Sequence, residues 1–109
     1  MMKAVVFLGD SLSALRGFPE SPRRRAGYQI DRVQRGLDPD DWKPMSTIRH
    51  GVREIRIRDA AGAFRVLYVM KRGDTVYVLH CFQKKSQRTS PLDLALGVKR
   101  YKELMRDSR

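Results

Sequence analysis

With 109 residues, 41% hydrophobic and 32% charged, the chain has material for one folded domain and none of the composition of wholesale disorder. Lys and Arg number 23 against 12 Asp and Glu, a net charge of +11, so small a body favours polyanions as partners, nucleic acid first. The single cysteine, Cys81, excludes an intrachain disulfide and a multi-cysteine metal cage, and the lack of a long apolar run excludes a spanning helix.

The N-terminal run from Lys3 to Leu8, with two adjacent valines, predicts a short strand buried on both faces. It makes a poor signal peptide because no small-residue cleavage site follows, so the expected location is the cytoplasm, away from membranes. Asp10 or Ser11 is expected to cap a helical turn through Leu12, Leu15 and Phe18, ended by Gly17 and Pro19. Ser21 before Pro22 predicts the N-cap of a longer helix with Ala26, Ile30, Val33 and Leu37 in one apolar stripe and Gly36 at its stop. Arg23, Arg24, Arg25, Arg32 and Arg35 take the other side, either as a wet face or as a polyanion surface.

Asp38 to Met45 reads as a Pro-rich connection, with Trp42 at the edge of the core. His50 belongs to the turn that precedes the sheet. From Val52 to Asp59 the alternation puts Arg53 with Ile55 and Ile57, and Glu54, Arg56 and Arg58 on a second, wet face. Asp59 to Gly62 turns the chain into a central strand from Ala63 to Met70, apolar except for Arg65. Lys71 to Asp74 turns it again, and Thr75 to Phe82 completes an antiparallel three-strand meander. Thr89-Ser90-Pro91 then opens a terminal helix whose stripe is Leu94, Val98, Tyr101 and Met105. The expected fold is α+β: a small, mainly antiparallel sheet of an N-terminal strand plus the meander, with two N-terminal helices and one C-terminal helix, all in one domain over residues 1–109.

No Gly-rich phosphate loop and no His-x-x-x-His zinc pair occurs, and no cofactor is expected. His80 and Cys81 are adjacent on a strand, which aims them at opposite faces and makes a nucleophile pair implausible. What is left is Arg65 and the cationic run that follows the third strand, Lys84, Lys85 and Arg88. Arg65 within an apolar strand is either paired with Glu54 across the sheet or open to a concave surface where it can clamp a phosphate.

Three blocks, G-x-R-E-x-R at Gly51 to Arg56, F-R-x-x-Y at Phe64 to Tyr68, and Phe82 to Pro91 with its Lys84-Lys85-Ser86, closely resemble the phage-derived, HigB-like branch of the RelE toxin superfamily. Ser90, which intervenes before the proline, departs from that pattern. The resemblance implies a RelE-like toxin of a type II toxin-antitoxin system: a metal-independent endoribonuclease that cleaves messenger RNA on the translating ribosome and is silenced by a cognate antitoxin. In such enzymes the 2′-hydroxyl of the RNA attacks the adjacent phosphate. Carried onto this chain, the catalytic group is Arg65, Lys84 and Lys85, with Arg53, Arg56 and Arg88 holding RNA. The alternative is a binding protein without catalysis on the same scaffold, either a gyrase inhibitor or a basic phage nucleic-acid-binding protein.

Overall fold

The computed structural model describes residues 2–71 and 74–107. Elements follow in the order β1 (Ala4–Phe7), α1 (Ser11–Arg16), α2 (Glu20–Gln34), β2 (Trp42–Pro44), β3 (Arg53–Asp59), β4 (Gly62–Lys71), β5 (Thr75–Lys84) and α3 (Pro91–Asp107). The five strands form one sheet in the order β1-β5-β4-β3-β2. β1 runs parallel to β5, and the other three pairings are antiparallel. The α+β class with its meander is as expected. Arg72 and Gly73 of the expected Lys71–Asp74 turn lie outside the described residues.

Helices cover both faces of the sheet. Leu15, Phe18, Ala26, Ile30 and Val33 of the α1–α2 region pack on Ile55, Ile57, Phe64, Val66, Tyr68, Val78 and Cys81. On the opposite face Leu67, Val69, Leu79 and Phe82 meet Leu104, with Leu94, Val98 and Tyr101 of α3 beside them and Met45 and Ile48 filling the flank. Gly97 lets α3 come this close: a Cβ there would lie 2.9 Å from Ile48 Cδ1 and 3.1 Å from Leu67 Cδ1. Among the described residues no helix is long and apolar enough to cross a membrane.

Several expectations from the sequence need correction. The segment around Trp42 is not only a connection; three of its residues pair with β3 as an edge strand, which suits Pro44 because an edge needs no further donor. Helix α2 begins one residue before Ser21, and Pro19 occupies its cap position without a side-chain bond. The Ser21 hydroxyl donates instead to Asp59 Oδ1 at 2.7 Å, joining α2 to the β3 terminus. Gly36, at φ 85, follows the end of α2, so Leu37 leaves the apolar stripe and is 50% exposed. Asp10 precedes α1 without capping it and accepts a hydrogen bond from Arg100 on α3 at 2.5 Å. Ser90 does cap its helix, with the Asp93 amide donating to its Oγ at 3.1 Å.

Candidate active site

Side chains alternate along a strand, and residues paired across strands share a face. On the pairing of β3 with β4, Arg56 opposes Arg65 and Glu54 opposes Leu67, so all four belong to the α3 face. Strand β5 does not continue a simple alternation. Its register with β4 passes from Leu67↔His80 to Tyr68↔Val78, which leaves Leu79 as the extra residue of a β-bulge. Before the bulge, Val76 and Val78 face α1 and α2; after it, Cys81 does. The one-residue slip therefore turns His80, Phe82 and Lys84 to the α3 face, the face of Arg65. With unbroken pairing Lys84 would point to the other side.

Helix α3 covers only part of this face. Beyond it lies a charged group drawn from four strands: Lys43 of β2, Glu54 and Arg56 of β3, Arg65 of β4 and Lys84 of β5. Arg65 and Glu54 were expected to be either ion-paired or functionally exposed, and the pair is present. Arg65 Nε stands 3.4 Å from Glu54 Oε1, and Lys43 Nζ is 3.9 Å from the same oxygen. Glu54 is fully buried and Arg65 is 3% exposed, so the wet face expected along β3 is dry at Glu54. Arg65 Nη1 also donates to the Phe64 carbonyl at 3.0 Å. Neither oxygen of Glu54 accepts a hydrogen bond among the described residues, and Arg65 Nε and Arg56 Nε lack partners of that kind as well.

The electrostatics follow from this crowding. Burial pulls the Lys84 ammonium below the usual lysine range, and Arg65, Lys43 and Arg56 push the same way while Glu54 opposes them. Burial likewise lowers Arg65, against the support of Glu54. Among the described residues Lys84 makes no ion pair. It borders an open cleft of about 400 Å³ whose walls include Lys43, Pro44, Thr47, Arg88 and Leu94. Lys85 and Arg88 are exposed and share a smaller hollow of about 170 Å³ with Lys84. Lys84, Lys85, Arg56, Arg65 and Arg88 thus gather at one end of the α3 face.

Arg53 does not join them. It pairs with Tyr68 on the α1–α2 face, stacks over the Trp42 ring at 4.0 Å and bonds Asp38 Oδ1 at 3.0 Å. Lys43 was missed in the sequence because it sat in a stretch read as a connection. The strand signal there is only three residues long.

A second polar chain anchors α3 next to this cleft. Arg100 Nη1 donates to the Leu79 carbonyl at 3.0 Å and lies 3.3 Å from His80 Nδ1. A guanidinium has only donors, so Nδ1 accepts and His80 Nε2 donates to Asp93 Oδ1 at 2.7 Å. Ser90 Oγ donates to the other carboxylate oxygen at 2.7 Å. Both His80 and Leu79 are placed for this by the same bulge that orients Lys84. Cys81, one residue on, faces the apolar core, where burial pushes its thiol up to about 12 and removes it from nucleophilic chemistry. Among the described residues no group of three or more His, Cys, Asp or Glu side chains is placed to hold a metal ion.

Comparison with known proteins places this geometry in context. The family model described as phage-derived protein Gp49-like (DUF891) matches residues 13–102. The fold is similar to that of E. coli toxin RelE, solved in the free state as a mutant with two arginines replaced by alanine: the TM-score is 0.62 at 13% identity, with 100% of both chains covered. A chain of the toxin-antitoxin complex RelBE2 from Mycobacterium tuberculosis gives a TM-score of 0.55 at 20% identity, covering 77% of this chain and 100% of that one. At these identities the likeness speaks for a RelE-like fold. A search of the curated proteins finds no match.

Proposed function

This chain belongs to the phage-derived Gp49-like family, and on that premise we propose that it is the toxin of a type II toxin-antitoxin system, an endoribonuclease that cuts messenger RNA on the translating ribosome in the cytoplasm. The observation that carries this reading is the bulge in β5, because it brings Lys84 to the face of Arg65 and beside an open cationic cleft.

The chemistry requires three things of the protein. A base takes the proton of the RNA 2′-hydroxyl as its oxygen bonds to phosphorus. Positive charge stabilises the phosphorane, and an acid protonates the departing 5′-oxygen as the P–O5′ bond breaks. The products are a 2′,3′-cyclic phosphate and a 5′-hydroxyl, and no metal or cofactor takes part. Lys84, its ammonium destabilised by burial and by neighbouring cations, suits the role of base. Arg65 supplies fixed positive charge beneath the phosphate, and Lys85 adds charge at the cleft mouth. Arg56 and Arg88 hold the RNA backbone on either side. Arg53, on the far face, suits contact with ribosomal RNA away from the cleavage point.

A body with a net charge of +11 also suits an acidic antitoxin as its neutralising partner, since charge complementarity speeds and orients such association. The cellular test is to induce the protein and map transcript 5′ ends. New ends within translated codons, carrying a 5′-hydroxyl, are expected. DNA damage without RNA cuts would overturn the ribonuclease reading in favour of a gyrase-type inhibitor.

A further inference from the structure

Among the described residues Glu54 is the acid that ion-pairs within the cation cluster of Lys43, Arg56, Arg65 and Lys84, and it has no solvent exposure. A buried carboxylate with no hydrogen bond to either oxygen is costly to keep unless its charge is used. Its two close partners are Arg65 at 3.4 Å and Lys43 at 3.9 Å, whereas Lys84 makes no ion pair among the described residues. Glu54 has no exposed surface with which to touch substrate. Any effect it has on chemistry passes through the cations that it touches.

We propose that Glu54 is a positioning residue: its carboxylate is the buried counter-charge that holds and aims Arg65 and Lys43 on the floor beside Lys84. This rests on the ribonuclease reading for its role in catalysis, but not for its electrostatics. Lys84 feels Arg65 from β4, Glu54 and Arg56 from β3 and Lys43 from β2, and Lys85, Arg88 and Asp93 border the same hollow. Burial, with Arg65, Lys43 and Arg56, drives Lys84 toward the neutral amine, and Glu54 resists them. The balance has a definite sign. Removing the carboxylate lets Lys84 lose its proton at lower pH, and removing a cation makes it hold the proton to higher pH.

The experiment is a pH titration of the Lys84 side chain by NMR in the purified full chain, beside the pH profile of ribosome-dependent cleavage. In Glu54→Gln the Lys84 midpoint falls by roughly half a unit or more, the scale expected of one nearby charge in a partly buried setting. The limb of the cleavage profile due to Lys84 moves down with it. In Lys43→Met both move up. Lys43 is 44% exposed at its side chain, so this variant folds even if Glu54→Gln does not. Glu54→Asp, which keeps the charge, restores the midpoint toward the original. A midpoint unmoved by Lys43→Met, or one that rises in Glu54→Gln, overturns the proposal. Shifted midpoints in a protein that cuts no RNA would support the electrostatic role and overturn only the ribonuclease reading. A residue with a merely structural role would lower the rate without moving the limb.

Discussion

The two faces of the sheet solve opposite problems with the same strands. Toward α1 and α2, β4 presents Phe64, Val66 and Tyr68, which share one core with residues of both helices. Toward α3 the same strand presents Arg65, Leu67 and Val69, and only the second and third are roofed by apolar side chains. At Arg65 the roof stops and the charges begin. Along Phe64 to Tyr68 one face is therefore a continuous core, whereas the other is a core for part of its length and a charged floor for the rest. A strand can serve both because its side chains alternate, so apolar packing and buried charge fall on neighbouring residues rather than on separate segments.

Phe64 and Arg65 allow that contrast to be tested at adjacent positions. Phe64→Ala empties a site where the ring packs against Phe18 at a centroid distance of 4.8 Å, and should cost ~3–5 kcal/mol of stability. Arg65→Ala should cost a similar ~3–5 kcal/mol, because it strands the buried Glu54 carboxylate. The two losses differ in their remedy. Replacing the ion pair with apolar groups in Glu54→Leu/Arg65→Met should recover most of the Arg65 loss in urea unfolding, since an apolar pair of similar volume is often no less stable than a buried salt bridge. No partner change rescues Phe64→Ala in the same way. If the double variant stays as unstable as Arg65→Ala, the cations left around it, Lys43 and Arg56, depend on the Glu54 charge as well. Arg65→Ala is by the same argument a poor test of chemistry, for activity lost with it mixes unfolding with catalysis.

A smaller effect is expected where α3 begins. Ser90→Ala removes the hydroxyl that caps the Asp93 amide and that bonds the carboxylate held by His80. The loss should be ~1 kcal/mol, the usual value of an N-cap, read as a lower urea midpoint with unchanged slope. A loss near zero would mean that the His80–Asp93 bond and the Arg100 anchor seat the helix without the cap.

Much of this fold was legible in the sequence. Alternation at Ile55 and Ile57 marked β3, the apolar run around Arg65 marked a central strand, and Ser90-Pro91 marked the start of α3. Long-range pairing was not legible: β1 lies beside β5 through contacts between residues more than seventy positions apart, which no local pattern encodes. Ser21 and Asp10 looked like caps because their side chains are suited to capping, but tertiary partners, Asp59 and Arg100, took those side chains. The site was legible in its residues but not in its geometry. Lys84 and Arg65 were both visible as cations at the sheet, yet the Leu79 bulge that puts them on one face leaves no mark in a run of apolar residues. Glu54 was visible as the partner of Arg65, but its complete burial depends on strands from three parts of the chain.

The central claim is that chemistry resides on the charged floor and not in the basic surface at large. Cleavage of a defined messenger by purified protein on programmed ribosomes tests it, comparing Lys84→Ala with Arg24→Ala on the exposed side of α2. Lys84→Ala should slow cleavage by about 10²- to 10⁴-fold, the range of a lost proton-transfer group, with its unfolding midpoint kept and Arg24→Ala near the original rate. Full activity in folded Lys84→Ala would contradict the account.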